Sequence, residues 1–146
     1  LDPFETLVIQ LLETQHAIRF QATGSSMRPF ILDGDSVEIQ PSNSSIFNCG
    51  DIVLYNLASG RLLIHRIVQV RVHKLLIQGD SMLAPDGWID PQQVLGKASA
   101  LYRNGKRIEL ASPGWVAAGK LWAWLTPLRC RIQILWRKLR NSPNPT

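Results

Sequence analysis

The chain has 146 residues and a formal charge of +5. That is one domain of ordinary size, long enough to bury a substantial core without disulfide staples. Up to Ser112 it carries 10 Lys+Arg against 11 Asp+Glu, so the whole excess lies beyond, in Lys120, Arg129, Arg131, Arg137, Lys138 and Arg140. A near-neutral body with a basic end excludes a nucleic-acid footprint and points the end at an acidic surface such as anionic lipid. Cys49 and Cys130 have no metal-like spacing, which argues against a zinc site or a structural disulfide.

Asp2-Pro3-Phe4-Glu5 is a helix start: Asp2 caps, Pro3 suits the first helical position and Glu5 stands where a capping-box partner belongs. Phe4, Leu7, Val8, Leu11 and Leu12 share a helical stripe, which predicts a short helix within residues 1–16 with His16 at its end. Ile18, Phe20 and Ala22 alternate as a strand and lead into Gly24-Ser25-Ser26-Met27-Arg28-Pro29, a turn that offers two hydroxyls. Asp33-Gly34-Asp35 turns the chain into a second strand, Ser36-Val37-Glu38-Ile39. A polar loop follows at Pro41-Ser42-Asn43-Ser44-Ser45, and strands are expected over residues 52–55, 62–72 and 74–78. Asn104-Gly105 between residues 99–103 and 106–110 is a two-residue hairpin signal. Residues 17–112 thus read as a β body.

Residues 113–140 change character, with four of the five tryptophans, many aliphatics, cations and no acid. A helix, or two helices broken at Thr126-Pro127, is expected there. Two readings stand: an interfacial membrane segment, or an amphipathic helix packed on the β body. Residues 141–146 are expected to fray. No run of about 18 apolar residues is present, so the chain predicts no spanning helix and a peripheral membrane or cytoplasmic location.

The serine turn, with Ser26, Met27, Pro29, Gly34 and Asp35, resembles the nucleophile segment of the signal peptidase I family. Gly50-Asp51-Ile52-Val53-Leu54-Tyr55, then His65-Arg66-Ile67-Val68, then Gly79-Asp80 through Asp86 to Val94-Leu95-Gly96-Lys97-Ala98 resemble the same family in the same order. The match runs over residues 21–101. It implies the mainly β catalytic fold shared with LexA-type peptidases, here with a short N-terminal helix and a C-terminal amphipathic helical segment. It also implies a serine endopeptidase, over residues 1–112, that removes signal or leader peptides from precursor proteins without a metal or cofactor. Members usually carry a membrane anchor, which these residues do not show.

A serine hydroxyl needs a base to take its proton during attack. Bacterial members use a lysine, but the matching position here is His65, as in the branch typified by endoplasmic-reticulum enzymes. An imidazole is largely neutral near pH 7 and accepts a proton without the desolvation a lysine would need. The base works best with a carboxylate behind it, for which Asp80, Asp86 and Asp90 are candidates. The resemblance favours Asp86, with Asp80 second. The Ser26 N–H is one oxyanion donor. Gly24 stands where many members have a serine, so three alternatives stay open: Ser25 as the second donor, Thr23 as the second donor, or no second donor. Met27 and Pro29 are expected beside the substrate.

Ser81-Met82 repeats the Ser-Met pair, but no strand with a Gly-Asp turn follows it and no base lies at a suitable distance after it. Lys74 and Lys97 do not displace His65. Two other functions stay open: self-cleavage in the LexA manner, and a catalytically silent relative that holds peptides on the same β surface.

Overall fold

The computed structural model describes residues 2–42 and 46–140. The expected loop at Asn43-Ser44-Ser45 and the expected fraying of residues 141–146 lie outside the described residues. The protein is a mainly antiparallel β-sheet with a short N-terminal helix and a long C-terminal one.

The N-terminal helix α1, Pro3–Glu13, forms the capping box: the Phe4 N–H donates to Asp2 Oδ1 at 3.0 Å and the Asp2 N–H to Glu5 Oε2 at 3.4 Å. It ends before His16 and buries Val8 and Leu12. Strands follow as β1 (Ile18–Gln21), β2 (Ser36–Pro41), β3 (Ile52–Asn56), β4 (Leu62–Arg71) and β5 (Lys74–Gln78). Then come β6 (Gly87–Ile89), β7 (Val94–Arg103) and β8 (Lys106–Glu109). They pair in the order β1-β2-β7-β3-β4-β5-β6, with β8 on β7. The Asn104-Gly105 hairpin has both residues at positive φ, 51° and 74°, as a type I′ turn requires.

Successive strand residues point to opposite faces, and in β3 both faces are covered. Ile52 and Leu54 join a core with Val8, Leu12, Val37, Ile39 and Leu101, while Val53 and Tyr55 join another with Ile67, Leu75 and Ile77. This explains why residues 52–55 read as a continuous apolar run. The three-residue strand β6 has no sequence signal of its own and exists through its pairing with β5.

The C-terminal helix α2, Pro113–Arg140, is continuous, the first of the two expected arrangements, with no break at Thr126-Pro127. Proline at position 127 removes one N–H from the ladder, and the preceding Thr126 donates its Oγ1 hydrogen to Trp122 O at 2.9 Å, tying that turn together. Gly119, Ala123, Thr126 and Cys130 are buried against the body. From Arg131 to Arg140 every residue is exposed. Among the described residues no helix is long and apolar enough to cross a membrane.

Arg103 of β7 fastens the turn that precedes β2. Its Nε and Nη2 donate to Asp35 at 3.0 and 2.6 Å, and Nη2 also reaches Phe30 O at 3.0 Å. The Asp35 side chain is 4% exposed. The Arg103 hydrogen bond holds the Asp35 carboxyl below its ordinary value of 3.8, against the opposing pull of burial. A depressed folded-state pKa stabilises the fold above the unfolded value, and that contribution is lost as pH falls through the folded value. Thermal melts should therefore show stability dropping below about pH 4. Asp35→Asn should cost about 1–3 kcal/mol at pH 7 and flatten that acid limb.

Candidate functional site

The turn that carries Ser26 is braced from both ends. Gly24 has φ 91°, a conformation that suits glycine, and its N–H donates to Asp33 Oδ1 at 2.8 Å. The Met27 side chain is buried in the first core, and Ile31 N–H closes the turn on Met27 O at 2.9 Å. Ser81, across the molecule, donates its N–H to Ser26 O at 2.9 Å and its hydroxyl to Ser25 O at 2.8 Å. The second Ser-Met pair of the sequence thus braces the first.

His65 lies in the part of β4 that pairs with β3, opposite Val53, and is 5% exposed. Its Nε2 is 3.1 Å from Ser26 Oγ, and its Nδ1 is 2.5 Å from Asp86 Oδ2. With Asp86 accepting, Nδ1 carries the proton and Nε2 is free to accept from the serine hydroxyl. The Asp86 side chain is 19% exposed, and its N–H donates to Ile77 O at 2.8 Å, which fixes the turn into β6.

Two supports of this line stand in stretches quoted from the sequence but had no role assigned to them there. The Tyr55 hydroxyl, on the same face of the sheet as His65, donates to Asp86 Oδ2 at 3.1 Å. Burial, then the neighbouring Asp86 charge, pushes the phenol well above its ordinary pKa, so it stays a donor. Gly79 leaves room for the contact: a Cβ there would stand 2.9 Å from Ser26 O and 3.1 Å from His65 Nε2.

Asp80, the second candidate for the acid, is not brought to His65. It accepts from Arg66 Nε at 2.7 Å and Nη2 at 2.8 Å, with both side chains almost wholly buried. The physical reason is strand alternation: Arg66 follows His65 in β4 and faces the other side, where Asp80 lies. Burial pushes the Asp80 carboxyl up in pKa against the pull of Arg66. Arg66 Nη1 donates to Gly50 O at 2.7 Å, and Arg129 of α2 donates to Asp80 O at 2.8 Å. Asp90 caps the 3₁₀ turn Pro91–Gln93.

Ser26 and His65 open on a cleft of about 630 Å³ lined also by Phe4, Ala22, Thr23, Met27 and Ile64. Ser25 and Pro29, expected at the substrate, do not line it; both are exposed on the turn. Ser25 spends its carbonyl on Ser81 and Arg28. Thr23 lines the cleft, and the space beside Gly24 is open. β5 covers β4 only from Arg66 onward, so residues 62–65 are paired on one side alone. The cleft therefore has a strand edge with backbone groups to offer beside Ser26 and His65.

The chain matches no protein-family model and no curated protein.

The two aspartates make different demands. Asp80→Asn leaves the buried Arg66 charge without its partner and should cost about 3–5 kcal/mol in chemical denaturation. Asp86→Asn should cost far less, yet abolish the strongly deshielded His65 Nδ1 proton in the NMR spectrum, a signal that Tyr55→Phe should shift.

Proposed function

We propose that this chain is a serine endopeptidase of the signal peptidase I kind, in its histidine-type branch, and that it cleaves signal or leader peptides from precursor proteins. One observation carries the reading: the hydrogen-bonded line from Asp86 through His65 to Ser26, ending at an open cleft beside residues 62–65, which no strand covers on that side. The order of motifs in the sequence supports the same fold and activity, and the antiparallel sheet agrees with it.

In this reading an extended precursor adds as a strand along residues 62–65, and its scissile carbonyl comes to Ser26 Oγ. Ser26 attacks as His65 Nε2 takes the proton. Asp86 holds the ring by Nδ1 and stabilises the imidazolium. The Ser26 backbone N–H donates to no group among the described residues and is available to the oxyanion. His65 then gives its proton to the leaving amine, and water hydrolyses the acyl-enzyme by the same route in reverse. The Thr23 hydroxyl is the candidate for a second oxyanion donor, because Gly24 has no side chain to offer and Ser25 lies outside the cleft. Small substrate side chains beside the cleaved bond are what the resemblance implies.

Turnover of a fluorogenic leader peptide tests this directly. Ser26→Ala and His65→Ala should each lower kcat by about 10³-fold or more, the first without changing the melting temperature much. A phosphonate that labels serine hydrolases should modify Ser26 in the parent and fail with His65→Ala. Turnover that survives Ser26→Ala would end the proposal.

A further inference from the structure

Helix α2 has two apolar faces. The one built from Gly119, Ala123, Thr126 and Cys130 is buried against the body. About half a turn round the helix, Leu121, Trp124, Leu128, Ile132, Leu135 and Leu139 repeat at intervals of three and four residues and form a second, unbroken stripe. All of it is open to solvent, with Trp124 at 75% and Leu139 at 66% exposure. At 1.5 Å per residue it is about 27 Å long. A patch of that size does not persist uncovered on a soluble monomer without a reason.

The charges say what covers it. Lys120, Arg131 and Lys138 fall in one row along the margin of the stripe, roughly 75° from its centre, and Trp136, 70% exposed, stands at the opposite margin. Residues 113–140 contain no Asp or Glu. Two copies meeting stripe to stripe would bring together two such helices with no acid to compensate their cations. A surface with negative headgroups above an apolar interior satisfies both the row and the stripe. The helix is too polar to cross the bilayer, so it lies in the interface.

We infer that the outward stripe of α2 seats the protein on an anionic lipid surface, with the leucines and Trp124 among the acyl chains and Lys120, Arg131 and Lys138 at the headgroups. The Phe30 ring of the serine turn meets Trp115 and Trp122 of α2 edge-on, at 5.6 and 5.5 Å. Seating the helix therefore holds the serine turn next to the membrane. The inference does not rest on the peptidase reading and would stand without catalysis.

Flotation of the full chain with vesicles tests it, together with tryptophan emission. The chain should float with phosphatidylcholine vesicles containing about 30 mol % phosphatidylserine, at least about tenfold better than with phosphatidylcholine alone, and about 0.5 M salt should weaken it. Emission should shift to the blue on binding. Trp124→Glu/Leu128→Glu/Leu135→Glu and, separately, Lys120→Glu/Arg131→Glu/Lys138→Glu alter only exposed positions. Each should reduce flotation about tenfold while the melting temperature stays close to the parent's. Equal flotation of parent and either variant would overturn the inference. So would a parent that ignores both kinds of vesicle, including one that instead forms a dimer lost in the apolar variant or pulls down an acidic protein.

Discussion

The ion pair between Arg66 and Asp80 is the constraint on which the rest of the structure depends. Both side chains are out of water, at 2% and 1% exposure, and each is met by further groups. The guanidinium holds Gly50 O and lies under the Phe30 ring, at 4.4 Å from its centroid. A Cβ at Gly119 would stand 2.6 Å from Nη1, so α2 can dock here only through a glycine. Desolvation offsets most of what such a pair gains by attraction, so its net stabilisation is small beside an apolar pair of equal size. What it fixes is alignment. The serine turn, the Gly50 turn, β4, the segment after β5 and α2 all take their position from one planar cation.

That alignment delivers the catalytic-looking geometry on the opposite face. His65 is the residue before Arg66, so a strand that cannot slip at Arg66 cannot slip at His65. A slip by one residue would turn His65 to the other face and put Arg66 or Ile64 at Ser26. Gly79 and Asp80 are adjacent in the same way: the first leaves space for Ser26 and His65, and the second anchors Arg66. Two consecutive pairs thus divide the sheet's faces: Arg66 and Asp80 anchor one, while His65 and Gly79 meet Ser26 on the other.

Much of this was legible in the sequence. The helix cap at Asp2, the strands, the Asn104-Gly105 hairpin and the trio Ser26, His65 and Asp86 follow from local patterns and from a resemblance. Tyr55 closes one of the resembling stretches without a role of its own there, but the role was within reach. Counting equal steps outward from a turn centred on Ser59 sets Val53 opposite His65 and Leu63 opposite Tyr55, as observed, and so puts Tyr55 on the histidine's face. The same counting across the β4–β5 turn, from Arg71 opposite Lys74, sets Gln78 opposite Ile67 and so misleads: an irregularity between Ile67 and Gln69 moves Gln78 opposite Arg66, and with it Asp80 to the arginine's face. The choice between one helix and two at Pro127 was beyond reach. It depends on packing of the helix against the body, which no local signal carries. Nor could the sequence say that residues 113–140 pack one face on the body and keep a second apolar stripe exposed, because a helix with two apolar faces blurs the single stripe that periodicity seeks.

Ser81 and Asp86 belong to one short segment yet serve two ends of the same line. Ser81 grips the carbonyls of Ser25 and Ser26, while Asp86 grips the ring that Ser26 meets. Between them run Met82, Leu83, Ala84 and Pro85, of which Met82, Ala84 and Pro85 are exposed. This stretch acts as a ruler: its number of residues, more than their identity, sets how far the acid stands from the brace. Drift in composition is cheap there, whereas gain or loss of a single residue would pull the carboxylate off the imidazole or drag the hydroxyl with it.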